Sequence, residues 1–232
     1  MIGALELMRL RAEALFTVDA EGRILRVNEP GGAPAPPFFF GRTSEGSVWR
    51  FRDDVSSALA GDLAVLVNGS QTLGPEALMP IDPAPFIERI SRDRPIQRVG
   101  SGPAFVVPIG SDRRSSAVAV TADTASVLSP YLESWLPDLE SGVPMAAVLH
   151  GGRAVSVCCS VRVTPRAHEA GVETHAEFRR QGHAEGAVTA WAALVRRMGV
   201  IPLYSTSWVN HASRAVARKL ELDQFGVDLS IT

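Results

Sequence analysis

The sequence predicts an α/β protein, with a mixed sheet and helices on both faces in the C-terminal half and a smaller α/β domain before it. Three observations lead there. Val155, Val157, Cys159, Val161 and Val163 recur with a period of two, which marks a strand, whereas Val188, Trp191, Ala192, Val195 and Met198 recur at helical spacing. Between residues 145 and 232 such runs alternate, the signature of helices laid on a sheet. Finally, a polar, basic stretch at Gly110–Ser116 separates two patterned halves, so the domains expected are residues 1–114 and 115–232.

The composition bounds the function classes. A chain of 232 residues with 46% hydrophobic residues and a formal net charge of -2 has ample material for a core and no basic surplus. Nucleic acid and anionic membrane are therefore not expected partners. No uncharged apolar run reaches the width of a bilayer. The N-terminal stretch Met1–Arg11 mixes acid, base and apolar residues and reads as a short amphipathic helix rather than a secretory leader. The only two cysteines, Cys158 and Cys159, are adjacent on a strand and point to opposite faces, so they are expected as packing residues in a reducing, cytoplasmic setting.

In the N-terminal half, residues 14–28 read as two β runs about a turn at Asp19–Gly22. A Pro/Gly-rich loop follows, then strands at Phe38-Phe-Phe and Val48–Phe51. Asp53 is expected to cap a helix over 55–66, and a short helix is expected at 85–90. Val99 and Phe105-Val-Val lie in a further strand. This half carries no metal-ligand spacing, no Walker loop and no Gly-x-Ser-x-Gly elbow, and structural support is the role expected for it.

In the C-terminal half, 117–121 reads as a strand. Asp123 or Thr124 starts a helical stretch through Leu136, divided by Pro130 and Pro137. Two strands, 145–150 and 153–164, join at Gly151-Gly152, a pair that tolerates positive φ at both positions. Next come a strand over 169–174, a small-residue turn over 179–184 and a helix to Met198. A strand over 202–208, a helix from an Asn210 cap to Glu221 and a last strand over 227–231 complete the chain.

The organising stretch is Glu169-Ala-Gly-Val-Glu-Thr-His-Ala-Glu-Phe-Arg-Arg-Gln-Gly-His-Ala184, read as strand, loop and helix start. Such a start presents unpaired N–H groups and a positive dipole end, which suits an anion, and small residues at Gly182 and Ala184 leave room for a phosphate to approach. The spacing Arg-x-x-Gly-x-Ala at Arg179, Gly182 and Ala184 resembles the pyrophosphate loop of the GNAT superfamily of acyl-CoA-dependent N-acyltransferases. Ser205-Thr-Ser-Trp-Val-Asn210-x-x-Ser213 resembles the strand and helix that part in that family to admit pantetheine.

The resemblance implies an acetyl-CoA-dependent N-acetyltransferase acting on a small-molecule or peptide amine, with no metal. It implies cofactor contacts from Val172, Glu173, Thr174, Arg179, Arg180, Gln181, Gly182, His183, Ala184, Asn210, Ser213 and Arg214. Deprotonating the acceptor needs a base, because an amine of pKa about 10.4 is neutral in roughly one molecule in a few thousand at pH 7. Glu169 and Glu173 share one strand face, and Glu169 is the first candidate, Glu173 the second. His168 and His175 are expected as surface or capping residues. Many family members carry a tyrosine seven residues after the asparagine as the acid for the leaving thiolate. Here that position is Ala217, which leaves Tyr204 as the alternative acid and a CoA-binding regulatory or decayed module as the alternative function.

Overall fold

The computed structural model describes residues 2–29, 31–32, 34–108 and 116–232. The elements are, in order, α1 (Ala4–Leu15), β1 (Phe16–Val18), β2 (Ile24–Val27), β3 (Phe38–Thr43), β4 (Gly46–Phe51), α2 (Ser57–Gly69), α3 (Ala84–Ser91) and β5 (Val99–Val106). There follow β6 (Val118–Ala119), α4 (Leu136–Glu140), β7 (Met145–His150), β8 (Arg153–Val163), β9 (Ala167–Thr174), α5 (His183–Arg197), β10 (Ile201–Ser205), α6 (His211–Lys219) and β11 (Asp223–Ile231). The linker expected over 110–116 lies, apart from Ser116, outside the described residues.

Two compact units result, and neither is continuous in sequence. The first comprises Met1–Phe105, Ser205–Arg214 and Gln224–Thr232; the second comprises Val106–Tyr204 and Ala215–Asp223. A linear division at 114/115 is thus crossed by the chain. The physical reason is strand pairing: β11 runs antiparallel to β3 from Gly226↔Thr43 to Ile231↔Phe38, so the C-terminal segment completes the first unit's sheet.

In the first unit the strand order is β4-β3-β11-β5. Phe38 and Phe40 point to one face, where they stack on Phe86 of α3 at 5.3 and 5.7 Å and bury Leu59, Leu63 and Val67 of α2. Phe39 points to the other face and meets Phe16 edge-on at 5.3 Å. There Met8 of α1 wedges against Gly41 and Gly226, where any Cβ would collide with its side chain. Buried Arg42 donates to the carbonyls of Ala77, Ser70 and Met79, tying down the segment after α2. The cap of α2 is Ser56, whose hydroxyl accepts from the Leu59 N–H at 3.2 Å, rather than Asp53. The helix begins two residues later than the apolar spacing indicated, beyond Asp54, whose carboxylate is taken by Arg52 and Arg94 and held down to about 2.

In the second unit the order is β10-β9-β8-β7-β6, antiparallel except for the parallel β9/β10 pair. Gly151 and Gly152 turn β7 into β8 with φ of 56° and 78°, as the sequence indicated. Odd positions of β8, Val157 and Cys159, face a core with Leu128, Leu132, Leu139 and Met145. The helical stretch predicted here is instead a chain of short pieces: 3-10 turns over Ala122–Leu128 and Glu133–Trp135, then α4. Thr121 and Thr124 form the capping box that starts it. The opposite face of the sheet is covered by α5 through Ala187, Val188, Trp191, Ala192 and Val195.

Candidate active site

The site begins where two parallel strands part. β9 pairs with β10 only at Ala167↔Ile201, His168↔Pro202 and Glu169↔Leu203, whereas its pairing with β8 runs on to Thr174↔Ser156. From Ala170 to Thr174, therefore, one edge of β9 has no strand beside it among the described residues. The backbone polar groups of that edge need partners from elsewhere.

The loop that follows is built for a close approach. After a 3-10 turn at Ala176–Phe178, Arg180 and Gly182 take positive φ, 64° and 84°. Glycine suits the second position; arginine at the first carries the strain that L-residues meet in the left-handed region. A Cβ on Gly182 would meet nothing within 4 Å, so the space above it is open. Gly182 is also the N-cap of α5 and offers no side chain, and the first N–H groups of a helix have no acceptor within it. Glu185, the acid in this first turn, is paired with Lys219 at 2.7 Å, so its charge is offset where an anion would gather. These features fit a pyrophosphate.

Arg179 is not a freely solvated cation, because its Nε donates to the carbonyl of Thr174 at 3.2 Å and ties the loop to the end of β9. Gln181 makes a similar tie to the Glu177 carbonyl at 3.3 Å. The loop base is an aromatic and imidazole cluster. Tyr131 lies 4.4 Å from His175, and Phe178 lies 5.1 Å from His150, 5.8 Å from Tyr131 and 6.4 Å from His183, between ring centroids. His175, half-buried, is the N-cap residue of the 3-10 turn, as one of its expected roles had it, and packs in this cluster.

The two glutamates of β9 share a face, as expected, but their surroundings differ. Glu169 is buried at 3% exposure, while Glu173 is exposed and accepts a hydrogen bond from the indole of Trp135 at 2.6 Å. On the other face His168 is buried at 2%, a correction to its expected surface role. Its Nδ1 lies 2.9 Å from the Ser160 hydroxyl, which also accepts from the Trp191 indole at 2.9 Å.

Burial lowers the His168 pKa, so the folded protein holds this ring neutral where the unfolded chain would protonate it. The associated stability is complete above about pH 6.5 and is lost as pH falls from there through the folded value. Melting temperatures between pH 8 and 5 should therefore fall on acidification, with a flatter profile in His168→Gln. The neighbouring Cys158 and Cys159 are no nucleophiles, since burial raises both thiols, Cys159 to about 12.

Asn210 caps α6, accepting from the Ser213 N–H at 3.0 Å, and Arg214 stacks on Trp208 at 5.3 Å while bonding its carbonyl. Asn210, Ser213 and Arg214 belong to the first unit, and the loop with Val172, Glu173 and Thr174 to the second. Tyr204 is buried at 2% on β10, among packed residues. Ala217 is also 2% exposed. Ala217→Tyr should thus destabilise by about 2 kcal/mol through overpacking, read from the urea midpoint, and add no turnover.

Sequence reasoning missed Trp135 and the Trp191–Ser160–His168 chain. One signal was present for the first: Gly171, a glycine in mid-strand, marks a close approach by another group. Among the described residues no group of three His, Cys, Asp or Glu could hold a metal ion, and no helix is long and apolar enough to cross a membrane. A cleft of about 400 Å³ lined by Glu21, Arg23, Trp49, Arg50 and Phe51 contains none of the site residues.

A mixed sheet parting between two parallel strands, with an anion-ready loop and helix at the gap, defines the GNAT class of fold. Residues 140–224 match the family model described as GNAT acetyltransferase.

Among solved structures, a GNAT-family acetyltransferase from Colwellia psychrerythraea is similar over 93% of this chain and 80% of its own, with 10% identity and a TM-score of 0.50. A GNAT-family protein from Novosphingobium aromaticivorans is similar over 59% of this chain and 66% of its own, with 16% identity and a TM-score of 0.48. This chain thus spans just under two thirds of the length of the latter. An acetyltransferase from Salmonella typhimurium that modifies the N-terminal serine of ribosomal protein L7/L12 is similar over 55% of this chain and 98% of its own, with 15% identity and a TM-score of 0.36. No curated protein matches in sequence.

Proposed function

We propose that this protein is an N-acetyltransferase that moves an acetyl group from acetyl-CoA directly to the primary amine of a small molecule or peptide. The observation that carries the reading is the unpaired edge of β9 leading into the Gly182 loop at the start of α5.

Bound there, acetyl-CoA supplies an activated thioester. The N–H groups around Arg180, Gln181, Gly182, His183 and Ala184 would donate to its pyrophosphate, with Arg179 and Arg180 adding positive charge. The open edge at Val172–Thr174 would bond the pantetheine and turn a donor towards the thioester carbonyl. Asn210, Ser213 and Arg214 are assigned to the pantetheine on the family resemblance. Glu169 is the proposed base that takes the acceptor's proton, Glu173 the second carboxylate on that face, and Tyr204 the proposed donor to the departing thiolate. A cytoplasmic location goes with this reading, both thiols being unpaired.

Ala217 favours a second reading, a CoA-binding module without turnover. Thiol release from acetyl-CoA, followed across a panel of primary amines, separates the two. Amine-dependent release supports the enzyme, and binding without release supports the module.

A further inference from the structure

Trp135 ends the 3-10 turn that precedes α4 and crosses 38 residues of sequence to reach β9. Its indole lies against the strand at Gly171, where a Cβ would stand 2.9 Å from Cη2 and 3.3 Å from Cζ3 of the ring and would collide with Val161. Glycine is needed at 171 for space. From that notch the indole N–H reaches two residues along the strand and donates to Oε2 of Glu173 at 2.6 Å. Four residues before Trp135, Tyr131 lies against His175, again two residues further on. The segment 131–135 therefore runs along β9 and sets the Trp135 indole N–H on an exposed carboxylate, at the part of the strand that β10 has left.

A carboxylate fixed through one oxygen and exposed to solvent is a receptor for an ammonium ion, which gains a charge-assisted hydrogen bond there. An amine acceptor reaches the protein as that ion. We infer that Trp135 is a positioning residue that holds Glu173 as the docking point for a cationic acceptor, so that Glu173 binds the ammonium and Glu169 is left to act as base. The inference rests on the acyltransferase reading for the acceptor's role, and the geometry of the Trp135–Glu173 pair stands apart from that reading.

The test uses Trp135→Phe, which keeps a ring in the notch and removes only the N–H, together with Glu173→Gln and the double variant. With an amine acceptor, Trp135→Phe should raise acceptor KM roughly tenfold, as expected for losing a hydrogen bond to a charged group, and leave the acetyl-CoA Kd unchanged. The double variant should be no worse than Glu173→Gln alone. An unchanged acceptor KM in Trp135→Phe, or effects that multiply in the double variant, would overturn the inference.

A second measurement does not need turnover. The indole N–H resonance of Trp135, identified by its loss in Trp135→Phe, should move on adding 1,5-diaminopentane and stay in place on adding 1,5-pentanediol, a matched chain carrying no charge. It should cease to respond in Glu173→Gln. Equal responses to the diamine and the diol, or none to either, contradict the inference. Absence of acetyl transfer with this resonance still responding to the diamine would instead contradict the enzyme reading alone.

Discussion

Gly182→Glu should abolish binding of acetyl-CoA while leaving the fold in place. Two effects act together. Gly182 sits at φ 84°, where an L-residue costs about 1–2 kcal/mol, and the open space above its Cα would receive a carboxylate at the place proposed for the pyrophosphate. Gly182→Ala separates them, because it carries the dihedral strain without the charge. A thermal-shift comparison reads the result. A ligand at about 100 times its Kd stabilises the folded state by about 2.7 kcal/mol, so wild type should melt higher with acetyl-CoA. Gly182→Ala should retain part of the shift and Gly182→Glu none. A full shift in Gly182→Glu would remove the loop from the site.

Glu169→Gln should lower kcat by about 10²–10⁴-fold with little change in acetyl-CoA affinity. The amide keeps the size and hydrogen-bonding reach of the carboxylate and cannot take a proton. The side chain is buried on β9 opposite Leu203, at the last pair before the strands part, so a proton acceptor there stands at the head of the open edge. Raising the pH should partly restore the variant, because a larger share of the amine is then already neutral. Unchanged turnover at pH 7 would reassign the base, with Glu173 the next to replace.

The parts of this account legible in the sequence are those set by local chemistry. The Gly151–Gly152 turn, the Asn210 cap and the start of α5 after Gly182 depend on a few adjacent residues and their allowed dihedrals. The pairing of Glu169 and Glu173 on one face follows from the period of a strand.

What could not be read depends on partners distant in the chain. Ser56 caps α2 beyond an Asp54 that Arg94 engages from 40 residues away. β11 returns to β3, which no linear boundary anticipates. His168 looked like a surface residue until Trp191 and Ser160 closed over it. Trp135 has an ordinary helical context in sequence, and only the notch at Gly171 reveals where its ring goes.

The measurement that bears most directly on the central claim is isothermal titration of the wild-type protein with acetyl-CoA and with free CoA. The account predicts saturable binding of both at one site per chain, since the loop and open strand edge would hold the part that the two share. Failure of acetyl-CoA, CoA and longer acyl-CoAs alike to bind the folded protein would contradict it.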